Sequence, residues 1–485
     1  MLEKIHKYLK LIFLLPIFFF LIKAMNPDSD SFFLAATGRF IFENKLVPTT
    51  NPFVIHENFE AIFQQWIPAL INYFLLENFG ATGMFIYSCV MFTITLIIFY
   101  KYISLFTDSF KLKTFIMFFT AFITRIVATT RPTSLTLPIF IILLYVLEKY
   151  KRTKNNKYLF VVPLLSLLEI NIHCALWPIL FVFICIYFLP EKLPEKLDKK
   201  TLLNWLFIEN KNNIFKILLV LISSIIVGFL NPNGLNGMLY LINSFGSATS
   251  GNEIQELTKT PILHIYGLYV IFAIIFTTIY IYKEKNNLDL RLLCISLVTI
   301  IFSSMYLRNV YFVVLGIMPI AGLLLNKKII DKPSKYSQKE HLFLIIFYSA
   351  IIILMTSYTS IVDYNDKDSY YVPVEAANYL DEKQEDIILF TGFNNGAYLE
   401  WRGYKVYIDA RPELFQKQIN KKEDIYTEYR NLKLGLINYE EFLEKYNFTH
   451  LIIADEYTFM NFIENNDNYK AVVEGKGYVL YERIK

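Results

Sequence analysis

Charge is scarce in this sequence. Asp, Glu, Lys and Arg make up only 19% of its 485 residues, against 55% hydrophobic and 17% aromatic, and mean hydropathy is +0.39. So little charge would not keep a chain of this length in solution, which excludes a water-soluble body and points to a membrane protein. The net charge of +4 is too small to argue for a nucleic-acid partner. Cysteine is scarcer still. Cys89, Cys174, Cys185 and Cys294 lie in or beside apolar runs, form no C-x-x-C pair and read as structural, and their paucity says nothing about compartment. No small-residue cleavage site follows "LIFLLPIFFFLIKAM", so the first apolar run is expected to remain as a span. There is also no internal repeat and no matched pair of broken helices, which weighs against a transporter of the inverted-repeat kind.

What the sequence has in abundance is apolar runs. Taking roughly 20 residues per crossing, we read about eleven spans, centred near Phe18, Met91, Phe118, Ile142, Leu164, Phe181, Ile222, Phe272, Leu297, Leu315 and Ile351. The run Leu176 to Leu189 is short enough to be partly re-entrant. Between the first two spans, a polar-apolar mixture predicts two surface helices, the second over "FEAIFQQWIPALINYFLLENFG". Lys and Arg collect in "MLEKIHKYLK", "EKYKRTKNNK", "EKLPEKLDKK", "YKEKNNLDLR" and "NKKIIDKPSKYSQKE". Those segments all fall on one side, which the positive-inside rule makes cytoplasmic. The fold class expected is therefore a polytopic α-helical membrane domain over 1–362, followed by an extracytoplasmic α/β domain over 363–485. In the latter, "VPVEAANYLDEK" and "NYEEFLEKY" read as helices, "DIILF", "KVYIDA" and "THLIIAD" as strands, and a last helix precedes the hairpin "YKAVVEGKGYVLYERI".

The unusual polar residues then fall on the outer side. Asp28 and Asp30, in "MNPDSDSFFLAATGRF", sit close to the expected hydrocarbon boundary, where carboxylates are expensive and more often kept for chemistry. In a loop or first turn both can converge on one cation, or one can act as a base. The competing reading is helix capping, which explains one acid well and two poorly. Arg131, with Arg125 before it, and Arg308 suit a phosphate through a planar bidentate fork, or else snorkel to headgroups. His173, in "EINIHCALW", reads as a hydrogen-bond donor to a phosphate, an acid, a metal ligand or a structural ring at a helix junction. Glu253 and Glu256 would share one side of a helical turn. In the tail, Asp409 and Arg411 of "GYKVYIDARPELF" share a strand face, and pairing with one another is the favoured reading.

Acids, arginines and a histidine on the outer side of a membrane protein suit transfer of a group carried on a lipid phosphate. The acid deprotonates an acceptor hydroxyl and the cations stabilise the departing phosphate. "NPDSDSFFLAATGRFIFENKLVPTTNPF" resembles the first outer loop of the GT-C superfamily of membrane glycosyltransferases, which includes the protein O-mannosyltransferases and the lipid A aminoarabinose transferases. The similarity is closer to a bacterial subgroup with a "D-x-D-x-W-W-H-L-x-x-G" loop and a "G-Y-x-V-x-I-D-G-R" tail, here "DSDSFFLAATG" and "GYKVYIDAR", with "NIHCALW", "NPNG", "EIQE" and "RNVYF" between them. The resemblance implies that Asp28 is the catalytic aspartate and that Glu256, or failing it Glu253, is a later acid. The histidine of "W-W-H-L" is absent, since Leu34 directly follows Phe33, and Ser29 stands where many relatives have a second acid, which leaves open whether Asp28 or Asp30 is the base and whether they bind a divalent metal with Glu256. It further implies a polyprenyl-phosphate sugar donor, an envelope glycan, lipid or protein acceptor, and a site in the cytoplasmic membrane of a bacterial cell. The alternatives are a transporter or flippase of a lipid-linked or anionic substrate, and a non-catalytic envelope assembly factor.

Overall fold

The computed structural model describes residues 29–189, 211–244, 259–285, 287–329, 368–383 and 386–484. Two compact units emerge: one comprises Met1–Met25, Ile86–Gly234 and Ser250–Ile361, the other Asn26–Phe85, Leu235–Thr249 and Val362–Lys485. The first outer loop thus belongs with the tail in the second unit.

The first unit is a bundle of apolar helices. Nine of the expected span centres fall in helices, while Phe18 and Ile351 lie outside the described residues. Among the described residues, four helices are long and apolar enough to cross a membrane: Trp66–Ile103, Thr133–Thr153, Ile265–Lys283 and Leu307–Asn326. Trp177–Ile186 is a shorter apolar helix. Phe118, Ile222, Phe272 and Ile301 remain exposed on the bundle's outside, an arrangement suited to lipid and costly in water. The second predicted surface helix does not form as drawn: Phe59 to Gln65 is irregular, and helix begins at Trp66 and runs into the next span. The break between the two comes at Gly80, whose φ of 58° and ψ of −155° suit a residue without a Cβ.

The second unit centres on a four-stranded sheet in the order β1-β2-β4-β3, comprising β1 (Leu389–Phe390), β2 (His450–Ile453), β3 (Tyr469–Gly475) and β4 (Tyr478–Arg483). β1 and β2 are parallel, and β4 runs antiparallel to both β2 and β3. The expected tail helices appear as Val374–Asp381, Tyr439–Tyr446 and Tyr457–Glu464. "KVYIDA" is not a full strand. Val406 makes isolated parallel bridges to Leu389 and to Val54 of the first outer loop, after which the Ile408 carbonyl accepts from the Thr391 hydroxyl at 2.8 Å rather than from a ladder. Ile55 N–H donates to Val406 O at 3.0 Å, and Val406 N–H donates to Phe53 O at 2.9 Å. Phe32, Phe33, Phe59 and Phe63 share one buried cluster with Phe390, Tyr407, Phe442 and Phe448. Apolar burial of this size is the main stabilising term for the unit.

Helix Ser29–Asn44 is fixed on this core by specific contacts. A Cβ at Gly38, the glycine that closes the "DSDSFFLAATG" motif, would run into the Ala69 carbonyl and Tyr73. Two chain segments approach there at a distance only glycine permits. Phe32 packs edge-on against Tyr398 with centroids 5.1 Å apart, and the Arg39 guanidinium lies 3.9 Å over the Trp401 ring.

Candidate functional site

In the second unit, Asp30 is half-buried in the first turn of helix Ser29–Asn44, and the preceding Ser29 hydroxyl donates to Asn394 O at 2.9 Å. A carboxylate at that end of a helix is favoured by the free N–H groups and the dipole. Asp28, Glu253 and Glu256 lie outside the described residues. Among the described residues, no group of three or more His, Cys, Asp or Glu could hold a metal ion.

Asp409 and Arg411 pair, as their spacing suggested. Arg411 Nε donates to Asp409 Oδ1 at 3.0 Å and Nη2 to Asp409 Oδ2 at 2.6 Å, while Nη2 also reaches Glu400 Oε1 at 2.8 Å and Oε2 at 2.9 Å. All three residues are buried. Burial pushes both acids upward; the Arg411 charge more than offsets this at Asp409, which lies below the ordinary carboxylate range, whereas Glu400 stays well above it. Phe33 of the first outer loop stacks 4.8 Å from the guanidinium. A cleft of about 50 Å³ beside Arg411, lined also by Thr37, Phe63 and Glu413, is the size of a water site and too small for a sugar. This cluster ties the loop to the tail.

Sequence reasoning also missed His56. Its Nε2 lies 2.8 Å from Tyr407 O, and the ring stacks on Phe59 with centroids 4.8 Å apart. Burial lowers its pKa from 6.5 to about 4, the Tyr407 carbonyl partly opposing. Lying in a loop without periodicity, it gave no sequence signal.

In the first unit, polar residues gather at both ends of the bundle, in different states. At one end Glu148 is fully buried but answered: Arg152 Nε reaches it at 2.7 Å, Lys151 Nζ at 3.8 Å and the Tyr187 hydroxyl at 3.3 Å. Lys151 also pairs with Asp289. These charges come from the basic segments predicted to be cytoplasmic.

At the other end, the turns after Thr124, before Trp177 and before Val313 collect Arg125, Arg131, His173 and Arg308. The turns Arg125–Val127 and Leu307–Phe312 touch each other. His173 caps helix Val161–Ile172, its N–H donating to Glu169 O at 2.7 Å. Its Nδ1 lies 3.3 Å from the Thr136 hydroxyl, which is 3.0 Å from Glu169 Oε1. Arg308 is exposed, makes no ion pair with a described residue, and lies close enough for its charge to act on both His173 and Tyr311. Glu169 Oε2 and the Tyr311 hydroxyl are buried with no hydrogen-bond partner among the described residues. Three of the predicted residues, Arg131, His173 and Arg308, thus lie at one end of one unit. Glu169, Thr136 and Tyr311 join them. Glu169 was visible in "EINIH", an acid inside an apolar run.

No protein-family model matches this sequence, and no curated protein matches it. Solved structures do. The archaeal oligosaccharyltransferase AglB from Archaeoglobus fulgidus, in complex with an inhibitory peptide and a dolichol-phosphate, superposes with a TM-score of 0.56 at 10% identity, covering 92% of this chain and 69% of that one. The oligosaccharyltransferase of the same organism, tethered through a disulfide to an acceptor peptide containing the NVT sequon, gives 0.56 at 11% identity over 92% and 69%. Its apo form gives 0.53 at 12% identity over 94% and 71%. The chain thus shares the fold of these archaeal oligosaccharyltransferases.

Proposed function

We propose that this protein is a membrane glycosyltransferase that moves a sugar from a polyprenyl-phosphate-linked donor to an acceptor hydroxyl in the cell envelope, on the outer face of the cytoplasmic membrane. The observation that carries the reading is the fold match over 92% of the chain, together with the cationic groups at one end of the helical unit. The AglB structure holding a dolichol-phosphate and a peptide supports a lipid-linked donor and a separate acceptor. Arg131 and Arg308 suit the donor phosphate, through charge and a planar fork, with His173 beside Arg308 as a hydrogen-bonding partner. Asp28, or Asp30, takes the proton of the acceptor hydroxyl. A divalent ion, if the reaction uses one, draws on Asp28, Asp30 and Glu256; as a second acid, Glu256 comes first and Glu253 second. The N-terminus is then cytoplasmic and the tail extracytoplasmic, where it receives the acceptor.

The test is the glycan and lipid profile of cells lacking the protein, compared with cells carrying wild type, Asp28→Asn or Asp30→Asn. A product absent from the deletion, restored by wild type and not restored by Asp28→Asn is expected. Normal product with both Asn variants, at equal protein level, overturns the assignment. Loss with Asp28→Asn alone returns Asp30 to capping.

A further inference from the structure

His173, Thr136 and Glu169 form one hydrogen-bonded row, and its proton inventory is informative. Thr136 has a single hydroxyl proton and lies between Glu169 Oε1 at 3.0 Å and His173 Nδ1 at 3.3 Å. Two polarities satisfy it. In the first, Glu169 is a carboxylate accepting from Thr136, and His173 must carry its proton on Nδ1. In the second, Glu169 is a carboxylic acid donating to Thr136, which donates to a bare Nδ1, and the ring proton sits on Nε2.

The surroundings choose between them. Glu169 has no accessible surface, and its second oxygen has no partner among the described residues. A carboxylate there would carry a full charge with one hydroxyl to answer it, whereas the acid leaves only a plain carbonyl oxygen unanswered. An unanswered acceptor is also cheaper than an unanswered donor. No ion pair with a described cation reaches Glu169, whose one side-chain partner among the described residues is the Thr136 hydroxyl. The contrast with Glu148, which meets Arg152, Lys151 and Tyr187, shows how many polar partners this fold can bring to a buried acid.

We propose that Glu169 is held as the neutral acid and that, through Thr136, it fixes His173 as the Nε2–H tautomer, so that an uncharged ring presents a donor to an anionic oxygen. Glu169 and Thr136 are positioning residues. The role of the anion as the donor phosphate rests on the glycosyltransferase reading; the relay itself does not.

The experiment uses the full-length protein in lipid nanodiscs at neutral pH. Infrared spectra of wild type minus Glu169→Gln should show a carboxylic-acid carbonyl band that shifts in D₂O. In ¹⁵N-histidine spectra, with His173 assigned from the His173→Gln difference among the six histidines, Nε2 should be protonated and Nδ1 a hydrogen-bonded acceptor. Thr136→Val should move the Nδ1 signal, and Thr136→Ser should restore it. A missing acid band, or a proton on Nδ1 in wild type, overturns the relay even if Glu169→Gln fails to fold, because the nitrogen measurement needs no change at Glu169. Binding of a polyprenyl phosphate is then measured on the same samples. Glu169→Gln, whose amide also donates, should hold affinity, and Thr136→Val should lose about tenfold, the worth of one hydrogen bond to a charged group. Absence of binding by wild type would strike the donor reading and leave the spectroscopic result standing.

Discussion

Two buried acid clusters in this molecule follow opposite rules. In the tail, Glu400 and Asp409 surround Arg411, whose Nε and Nη2 bind the two acids, with an aromatic ring of the first outer loop stacked on the cation. In the helical unit, Glu169 has one hydroxyl on one oxygen and nothing on the other among the described residues. Arg411 spends Nε and Nη2 on its own anions and keeps only Nη1 without a hydrogen-bond partner among the described residues, so this cluster is a fastening. A cluster that leaves polar atoms unanswered, beside an exposed arginine, has capacity left for a ligand. The difference separates residues that look alike in sequence, since "YIDAR" and "EINIH" are both short polar interruptions of apolar text.

The largest effect should come from the fastening. Arg411→Met leaves two buried carboxyl groups without their cation and should destabilise the second unit by about 3–5 kcal/mol, read as proteolysis of the tail at temperatures the wild type survives. A tail that stays protected would mean that the cluster is not what ties the loop down. Next comes pH. The folded pKa of His56 is depressed from 6.5 to about 4, so the unfolded chain binds more protons between those values. Its contribution is complete above pH 6.5 and is lost as pH falls toward 4. It amounts to roughly 3 kcal/mol at most. His56→Phe should flatten that part of the stability profile, and an unchanged slope would place the acid sensitivity elsewhere.

Gly38→Ala should cost about 1–3 kcal/mol by forcing apart the approach to Ala69, measured as a lower melting temperature. The smallest stability effect belongs to the ligand end. Arg308→Lys, at an exposed site, should change stability by less than about 0.5 kcal/mol, and both it and Arg131→Lys should weaken use of the lipid-phosphate donor, because the charge survives and the bidentate fork does not. Equal loss of stability and donor use would merge the two clusters into one kind.

Much of this architecture was legible because it is periodic or compositional. The apolar runs centred on Met91, Ile142 and Phe272 became helices, and the alternation in "THLIIAD" became β2. The pairing of Asp409 with Arg411 followed from residues two apart on an extended chain. What sequence could not show was long-range: that Val54 would bridge to Val406, that Phe33 would stack on Arg411, or that Thr136 would stand between Glu169 and His173. The "KVYIDA" stretch was over-read as a strand because its alternation is real, while Thr391 and the turn held by Asp409 take the hydrogen bonds a ladder would need.

The account stands most directly on whether the end of the bundle carrying Arg131, His173 and Arg308 binds a lipid phosphate. Purified protein in nanodiscs, examined by native mass spectrometry with an added polyprenyl phosphate, answers this. Wild type and Gly38→Ala should retain the lipid, and the Arg131→Ala/Arg308→Ala double variant should lose it while still unfolding cooperatively on heating. Equal retention by the double variant, or no binding by wild type, would contradict the account.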